Sequence, residues 1–346
     1  MELDEWMARS VKHNASDLHL CSGHPPVLRV DGRLQPENTL PRLTPDQVAQ
    51  WCDAWLEPAQ REQLRQAGQV DGALMLPDGQ RLRVNVFRQR EGLSAALRVI
   101  PSVQPSLDAL HAPPVFSTLL EKPNGLLLIT GATGSGKSTT LAAMLGALND
   151  RCDRHVITLE DPIEFIHASR RCLIQQREIG AHSASFAQAL RAALREDPDV
   201  ILLGELRDTE TIRLALTAAE TGHLVLSTLH TRSASQAVDR LIDVFPGEEK
   251  AYVRSQLATC LQAVVTQKLL PAAQGGRIAL YEVLTATAAV SNLIREGKTH
   301  QLPGLIQTGA AAGMQTFEQS YQQRCRDGLI SHRFSAGPTT GCAIHP

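Results

Sequence analysis

The stretch Gly131–Thr139, GATGSGKST, fits G-x-x-x-x-G-K-[ST] at every position. That pattern works only where a strand hands the chain to a helix N-terminus, and GLLLIT (Gly125–Thr130) precedes it while a helical pattern follows. The glycines let the backbone curl so that successive N–H groups face phosphate oxygens, and the helix dipole adds to them. Gly131, Ala132, Thr133, Gly134, Ser135, Gly136, Lys137, Ser138 and Thr139 are therefore expected to bind nucleotide phosphates. Lys137 would reach the β and γ phosphates of ATP, and Ser138 would ligate Mg²⁺.

Around this loop, apolar strands alternate with amphipathic helices, the pattern of a parallel α/β sheet. HVITLE (His155–Glu160), DVILLGE (Asp199–Glu205) and HLVLSTLH (His223–His230) read as strands. Phe186, Ala189, Leu190, Ala193 and Leu194 form one helical face. Beyond Pro271 the pattern reads as largely helical, and 331–346 as a disordered tail.

The N-terminal part has a different texture. Leu3, Trp6, Met7 and Val11 make one apolar helical stripe, and ASDLHL (Ala15–Leu20) alternates like a strand. VLRVDGRL (Val27–Leu34) places Asp31-Gly32 between two strand-like arms, a hairpin signal. Thr44 is a candidate N-cap with Pro45 at the first helical position. Strands around Gly79–Phe87 and Leu93–Ile100 complete an α+β unit. The expected organisation is an N-terminal domain over 1–100, a Pro-rich linker over 101–114, an ATPase core over 115–270, a helical region over 271–330 and the tail.

Composition excludes several classes. Among 346 residues, 34 Lys+Arg against 36 Asp+Glu leave no basic excess, so direct nucleic-acid handling is not expected. Seven cysteines without a Cys-x-x-Cys pair give neither a disulfide framework nor a zinc knot. The opening residues lack a signal-peptide pattern, and no apolar run approaches the ~18 residues of a membrane span. A reduced, cytoplasmic protein is expected.

Ligands in open α/β sheets bind at the carboxyl ends of strands. REDPDVILLGELRD (Arg195–Asp208) ends its strand at Gly204-Glu205, which places Glu205 to polarise an attacking water. LEDPIEF (Leu159–Phe165) adds Glu160, Asp161 and Glu164 at another strand end, where they suit Mg²⁺ directly or through water, or an ordinary Pro-containing turn. In ETGHLVLSTLHT (Glu220–Thr231), seven residues at ~3.3 Å each separate His223 and His230 by roughly 23 Å, which rules out a shared metal. His230 falls at the nucleotide end, as a γ-phosphate contact; His223 falls at the other end and has no argued chemistry. Arg83, Arg88, Arg90 and Arg98 read as a solvated basic face or as donors to a nucleotide in trans, in the manner of an arginine finger.

In this order the motifs resemble the secretion ATPase superfamily, and closely the type IV pilus retraction ATPases (PilT-like). The segments that carry the resemblance include ITLEDPIEF, DPDVILLGELRD, TAAETGHLVLSTLHT, RLIDVFPGEEK, LQAVVTQKLL, NLIREGKTHQ and GMQTFEQS. It implies a homo-hexamer with a PAS-like N-terminal domain and a RecA-like motor domain, and ATP bound between the two domains and a neighbouring subunit. Arg83 and Arg98 match the family's paired basic positions, and His223 belongs to its histidine box. The implied partners are an inner-membrane pilus platform protein and, as a further candidate, a second pilus ATPase.

No tetracysteine motif of the extension ATPases is present, which favours retraction. One departure lies in AVSNLIRE (Ala289–Glu296), where Ser291 stands at a position usually occupied by arginine in a motif linked to retraction. Two alternatives stay open: another ATPase of the superfamily, serving DNA uptake, conjugation or accessory retraction, and a nucleotide-dependent scaffold with little turnover.

Overall fold

A computed structural model describes residues 3–13, 15–30, 33–76, 81–100 and 104–330. The Asp31-Gly32 turn and the expected tail lie outside the described residues. The chain divides into two compact units between residues 103 and 104, each with its own apolar core. No described helix is long and apolar enough to cross a membrane.

The first unit contains α1 (Leu3–Lys12), β1 (Asp17–Cys21), β2 (Val27–Val30), β3 (Arg33–Pro36), α2 (Pro45–Trp55), α3 (Pro58–Ala67), β4 (Gln69–Met75), β5 (Arg81–Gln89) and β6 (Gly92–Ile100). The strands form one antiparallel sheet in the order β3-β2-β1-β6-β5-β4. Period-2 alternation sends Leu82, Val84 and Val86 of β5 to the core and Arg81, Arg83 and Asn85 to the other face. Trp6, Met7, Val48, Cys52 and Leu64 bring the helices onto the core face. Thr44 caps α2 as expected, exchanging bonds with Gln47 in a capping box, with Pro45 at the first helical turn. The sequence pattern did not reveal α3 and β4. The α3 sequence PAQREQLRQA buries only Leu64, so its apolar stripe is too thin to read.

The second unit contains α4 (Val115–Leu120), β7 (Gly125–Thr130), α5 (Lys137–Arg151), β8 (His155–Glu160), β9 (Leu173–Glu178), α6 (Phe186–Ala193), β10 (Val200–Leu203), α7 (Thr209–Glu220), β11 (Leu224–Leu229), α8 (Ala234–Asp243), α9 (Lys250–Cys260), β12 (Leu261–Pro271), β13 (Arg277–Thr285), α10 (Ala288–Arg295), α11 (Leu302–Thr308) and α12 (Phe317–Arg326). Seven strands form one sheet in the order β13-β12-β7-β11-β10-β8-β9, parallel except for β13. Every residue of β7, β10 and β11 is buried. Continuous apolar strands of this kind need helices on both faces, and two separate core clusters supply them.

One expectation changes here. The region beyond Pro271 is not simply helical, because β13 (residues 277–285) pairs with β12 over nine positions as the edge of the main sheet. The described part of the expected linker, 104–114, packs on the second unit. Leu107 and Ala112 lie against the second unit's core, and Arg324 donates to the His111 carbonyl.

Candidate nucleotide site

Register alone gathers the site. Leu229 pairs with Thr130, so His230 follows β11 beside the point where Gly131 follows β7. Leu203 pairs with Leu159, and the Gly204 amide donates to the Leu159 carbonyl, so Glu205 emerges next to Glu160. Strand β11 lies between the P-loop strand β7 and the acid-bearing strand β10. All these residues therefore lie along one carboxyl edge.

The loop 131–136 turns on glycines with positive φ. A Cβ on Gly131 would meet the Gln267 carbonyl oxygen at 2.5 Å and Ser135 Oγ at 2.6 Å. Gly136, at φ 87°, delivers the chain into α5 against the Gln267 side chain. Ser135 Oγ is sealed from solvent with no hydrogen-bond partner, as expected of a loop shaped around an anion. Ser138 and Thr139 follow in the first turn of α5, half-buried. The residues present thus fit a nucleotide phosphate.

Lys137 is buried, and its Nζ donates to the carbonyls of Gly131 and Ala132 at 3.0 Å each. His230 Nδ1 lies 3.5 Å from Nζ, and His230 Nε2 lies 3.3 Å from Glu205 Oε2. Burial pushes the Lys137 ammonium below its usual pKa, while the charges of Glu205 and Glu164 pull it back up. Glu205 also forms an ion pair with Arg207. Burial pushes the Glu205 carboxyl up, but Arg207 and His230 together outweigh it and hold the carboxyl below its usual range. Glu205 is therefore ionised at neutral pH and able to accept a proton. Beside it lies a cavity of about 390 Å³ lined by Glu205, Arg207, His230, Thr231 and Arg240.

The acidic segment after β8 splits by environment. Glu160 Oε1 accepts from Thr158 Oγ1 at 2.6 Å and Gln176 Nε2 at 3.1 Å, and burial raises its pKa. Asp161 and Glu164 are exposed; Asp161 lies within electrostatic reach of Arg207 and Glu164 within reach of Lys137. Among the described residues no group of three or more His, Cys, Asp or Glu is placed to hold a metal ion.

His223 does not join this cluster. Its ring Nδ1 lies 3.1 Å from the Ala218 carbonyl at the opposite edge of the sheet, where its own carbonyl accepts from Gly125. In the first unit, Arg83 and Arg98 are direct cross-strand partners. Arg98 Nε bonds Asp17 at 2.8 Å, and Arg83 lies 3.9 Å from Asp71. Arg90 pairs with its neighbour Glu91, while Arg88 lines a small cavity with Asp46. The contacts of Arg207 with Glu205 and of Gln176 with Glu160 were not anticipated from the sequence. Arg207, two residues beyond Glu205, carried a local signal; Gln176 carried none.

A parallel sheet with a P-loop after one strand, and an acid after the next but one, defines a RecA-like P-loop ATPase. The chain belongs to the Type II/IV secretion system protein family, whose model matches residues 3–333. It is 61% identical over 330 residues to "Uncharacterized protein YggR" of Escherichia coli (strain K12), covering 95% of this chain and 100% of that one. It is 49% identical over 331 residues to the type IV pilus retraction ATPase PilT of Pseudomonas aeruginosa, covering 96% of each. A crystal structure described as the pilus retraction motor PilT with bound ADP superposes with a TM-score of 0.88 at 42% identity, covering 96% of this chain and 95% of that one. The resemblance seen in the motifs is thus borne out.

Proposed function

We propose that this protein is an ATP-hydrolysing motor that powers type IV pilus retraction. One observation carries the chemistry: Lys137, His230, Glu205 and Arg207 form an unbroken chain of contacts at the carboxyl edge of the sheet. The motor assignment comes from the kinship with retraction ATPases.

ATP places its phosphates on the 131–139 loop, and Lys137 exchanges its two loop carbonyls for β- and γ-phosphate oxygens. Glu205 takes a proton from the attacking water, with its carboxylate kept ionised by Arg207. His230, between Lys137 and Glu205, senses whether the γ-phosphate is present. Glu164 lies within electrostatic reach of Lys137, where it lowers the cost of holding a buried Lys137 charge. Ser138 and Asp161 would hold Mg²⁺, and the ion would there neutralise phosphate charge. Glu160, engaged by Thr158 and Gln176, supports its loop rather than ligating the ion directly. His223 fixes the turn between α7 and β11.

The working assembly is a homo-hexameric ring at the cytoplasmic side of the inner membrane, acting on a pilus platform protein without handling nucleic acid. A second pilus ATPase is a further partner. Arg83 and Arg98 reach a neighbouring subunit's nucleotide. An accessory role in the same machine is the second reading, favoured by Ser291 in α10.

The test combines a purified protein and its host. Lys137→Ala is expected to lose ATP binding and hydrolysis together. Glu205→Gln is expected to bind ATP while turnover drops by about 10²-fold or more. Wild-type turnover in the Glu205→Gln protein would remove the assigned base. Deleting the gene is expected to leave excess surface pili and abolish twitching; unchanged pili and motility would refute the motor assignment.

A further inference from the structure

Glu164 is exposed and acts on Lys137 at a distance, so something else must hold the loop that carries it. The backbone on both sides of Glu164 is bound by alternate residues of β9. Glu178 Oε2 accepts from the Ile163 amide at 3.1 Å. Gln176 Nε2 donates to the Phe165 carbonyl at 2.8 Å, and Gln176 Oε1 accepts from the His167 amide at 2.8 Å. The same Nε2 reaches Glu160 Oε1 at 3.1 Å. Ile163 and Phe165 are buried, so Glu164 between them is turned outward by the alternation.

One side-chain amide thus makes three bonds to three points of a single loop. Its orientation is unambiguous: Nε2 meets two acceptors and Oε1 meets one donor, and a flipped amide would oppose like groups at all three contacts. The amide joins the buried carboxylate of Glu160 to the peptide that follows Glu164. It leaves the Glu164 carboxylate available for chemistry while fixing the backbone beneath it. Gln104 adds an outer hold, donating to the Ile166 carbonyl.

We infer that Gln176 is a positioning residue for hydrolysis, which keeps Glu164 within electrostatic reach of Lys137 by clamping the loop from Glu160 to His167. This inference rests on the assignment of Glu164 to the ATPase site. Supporting shells of this kind commonly change activity by about 10–100-fold when cut.

The test compares Gln176→Met, which keeps the shape and removes all three bonds, with Glu164→Gln and with the double variant. Turnover, affinity for a non-hydrolysable ATP analogue, thermal midpoint and amide hydrogen exchange are measured on the full chain. Gln176→Met is expected to lose at least about tenfold in kcat, with analogue affinity within about threefold and faster exchange confined to amides of the 160–167 loop. The double variant is expected to lose no more than Glu164→Gln alone, because both changes remove the same contribution. If Glu164→Gln is impaired but Gln176→Met is fully active, or if the losses multiply in the double variant, the positioning role is overturned while the site stands. If Glu164→Gln itself turns over at the wild-type rate, the assignment of Glu164 fails and the positioning role with it.

Discussion

Arg207 decides how Glu205 titrates. Burial pushes the Glu205 carboxyl up, and the Arg207 guanidinium with the His230 ring holds it below its usual range all the same. A general base must be ionised, so activity is lost as pH falls through its pKa, and a lowered pKa extends activity to more acidic conditions. Arg207→Ala removes the larger of these two partners and lets the burial effect through. The acid limb of the kcat/KM profile should move to higher pH, while the profile near pH 8 keeps its shape. An acid limb that stays in place would show that Arg207 does not tune the base. The P-loop and Glu205 were readable because spacing within one strand–loop unit already fixes them. His230 needed only the length of its strand. Glu160 shows the limit: the sequence offers it as a metal ligand, and the hold of Thr158 and Gln176 on one of its oxygens is not written there. Gln176 lies 16 positions from Glu160, in a segment with no recognisable pattern.

Elements were readable where burial wrote a period into the chain, and unreadable where it did not. Strands β7, β10 and β11 are buried on both faces and stood out as apolar runs. Edge strand β9, LIQQRE, fully buries only one residue and looks like a loop. Strand β13 is hidden in the sequence because its apolar run continues into the helical pattern of α10, while Gly275 and Gly276 make the turn that pairs it with β12. That strand nevertheless supports a helix, because Glu282 Oε1 accepts from the Ala234 amide at 2.8 Å and so caps α8 alongside Ser233. Burial raises the Glu282 pKa, with the Ala234 amide and Lys268 opposing it. A carboxyl whose folded pKa is raised contributes stability in full below its unfolded pKa and loses it as pH rises through the folded value. Glu282→Gln keeps an acceptor for Ala234 and removes that loss. Its thermal midpoint relative to wild type should therefore climb as pH rises above the ordinary glutamate value of 4.5, and Glu282→Ala, which removes the same titrating group, should show the same climb from a baseline lower by about 1 kcal/mol. A flat or falling difference for the Gln variant would show that Glu282 gains from its charge.

At the scale of the whole molecule, the first unit presents Arg83 and Arg98 side by side on one face of its sheet. Like charges directly opposite in a sheet are destabilising unless something offsets them. Asp17 holds Arg98 closely, but Asp71 lies 3.9 Å from Arg83, and both arginines keep exposed side chains. A pair of exposed guanidiniums side by side suits an anion, and in the proposed ring that anion would be the neighbour's nucleotide. The prediction concerns mixed assemblies. Lys137→Ala subunits have no working P-loop but intact arginines, and Arg83→Ala/Arg98→Ala subunits have the reverse. Each alone should be nearly inactive. Mixed in equal amounts and allowed to exchange, about a quarter of the interfaces would join a working P-loop to working arginines, so part of the ATPase rate should return. The recovery should peak near equal proportions and vanish when subunit exchange is blocked by crosslinking beforehand. If no ratio restores activity although exchange is demonstrated by labelled subunits, the arginines serve their own chain and the ring does not share its sites in this way.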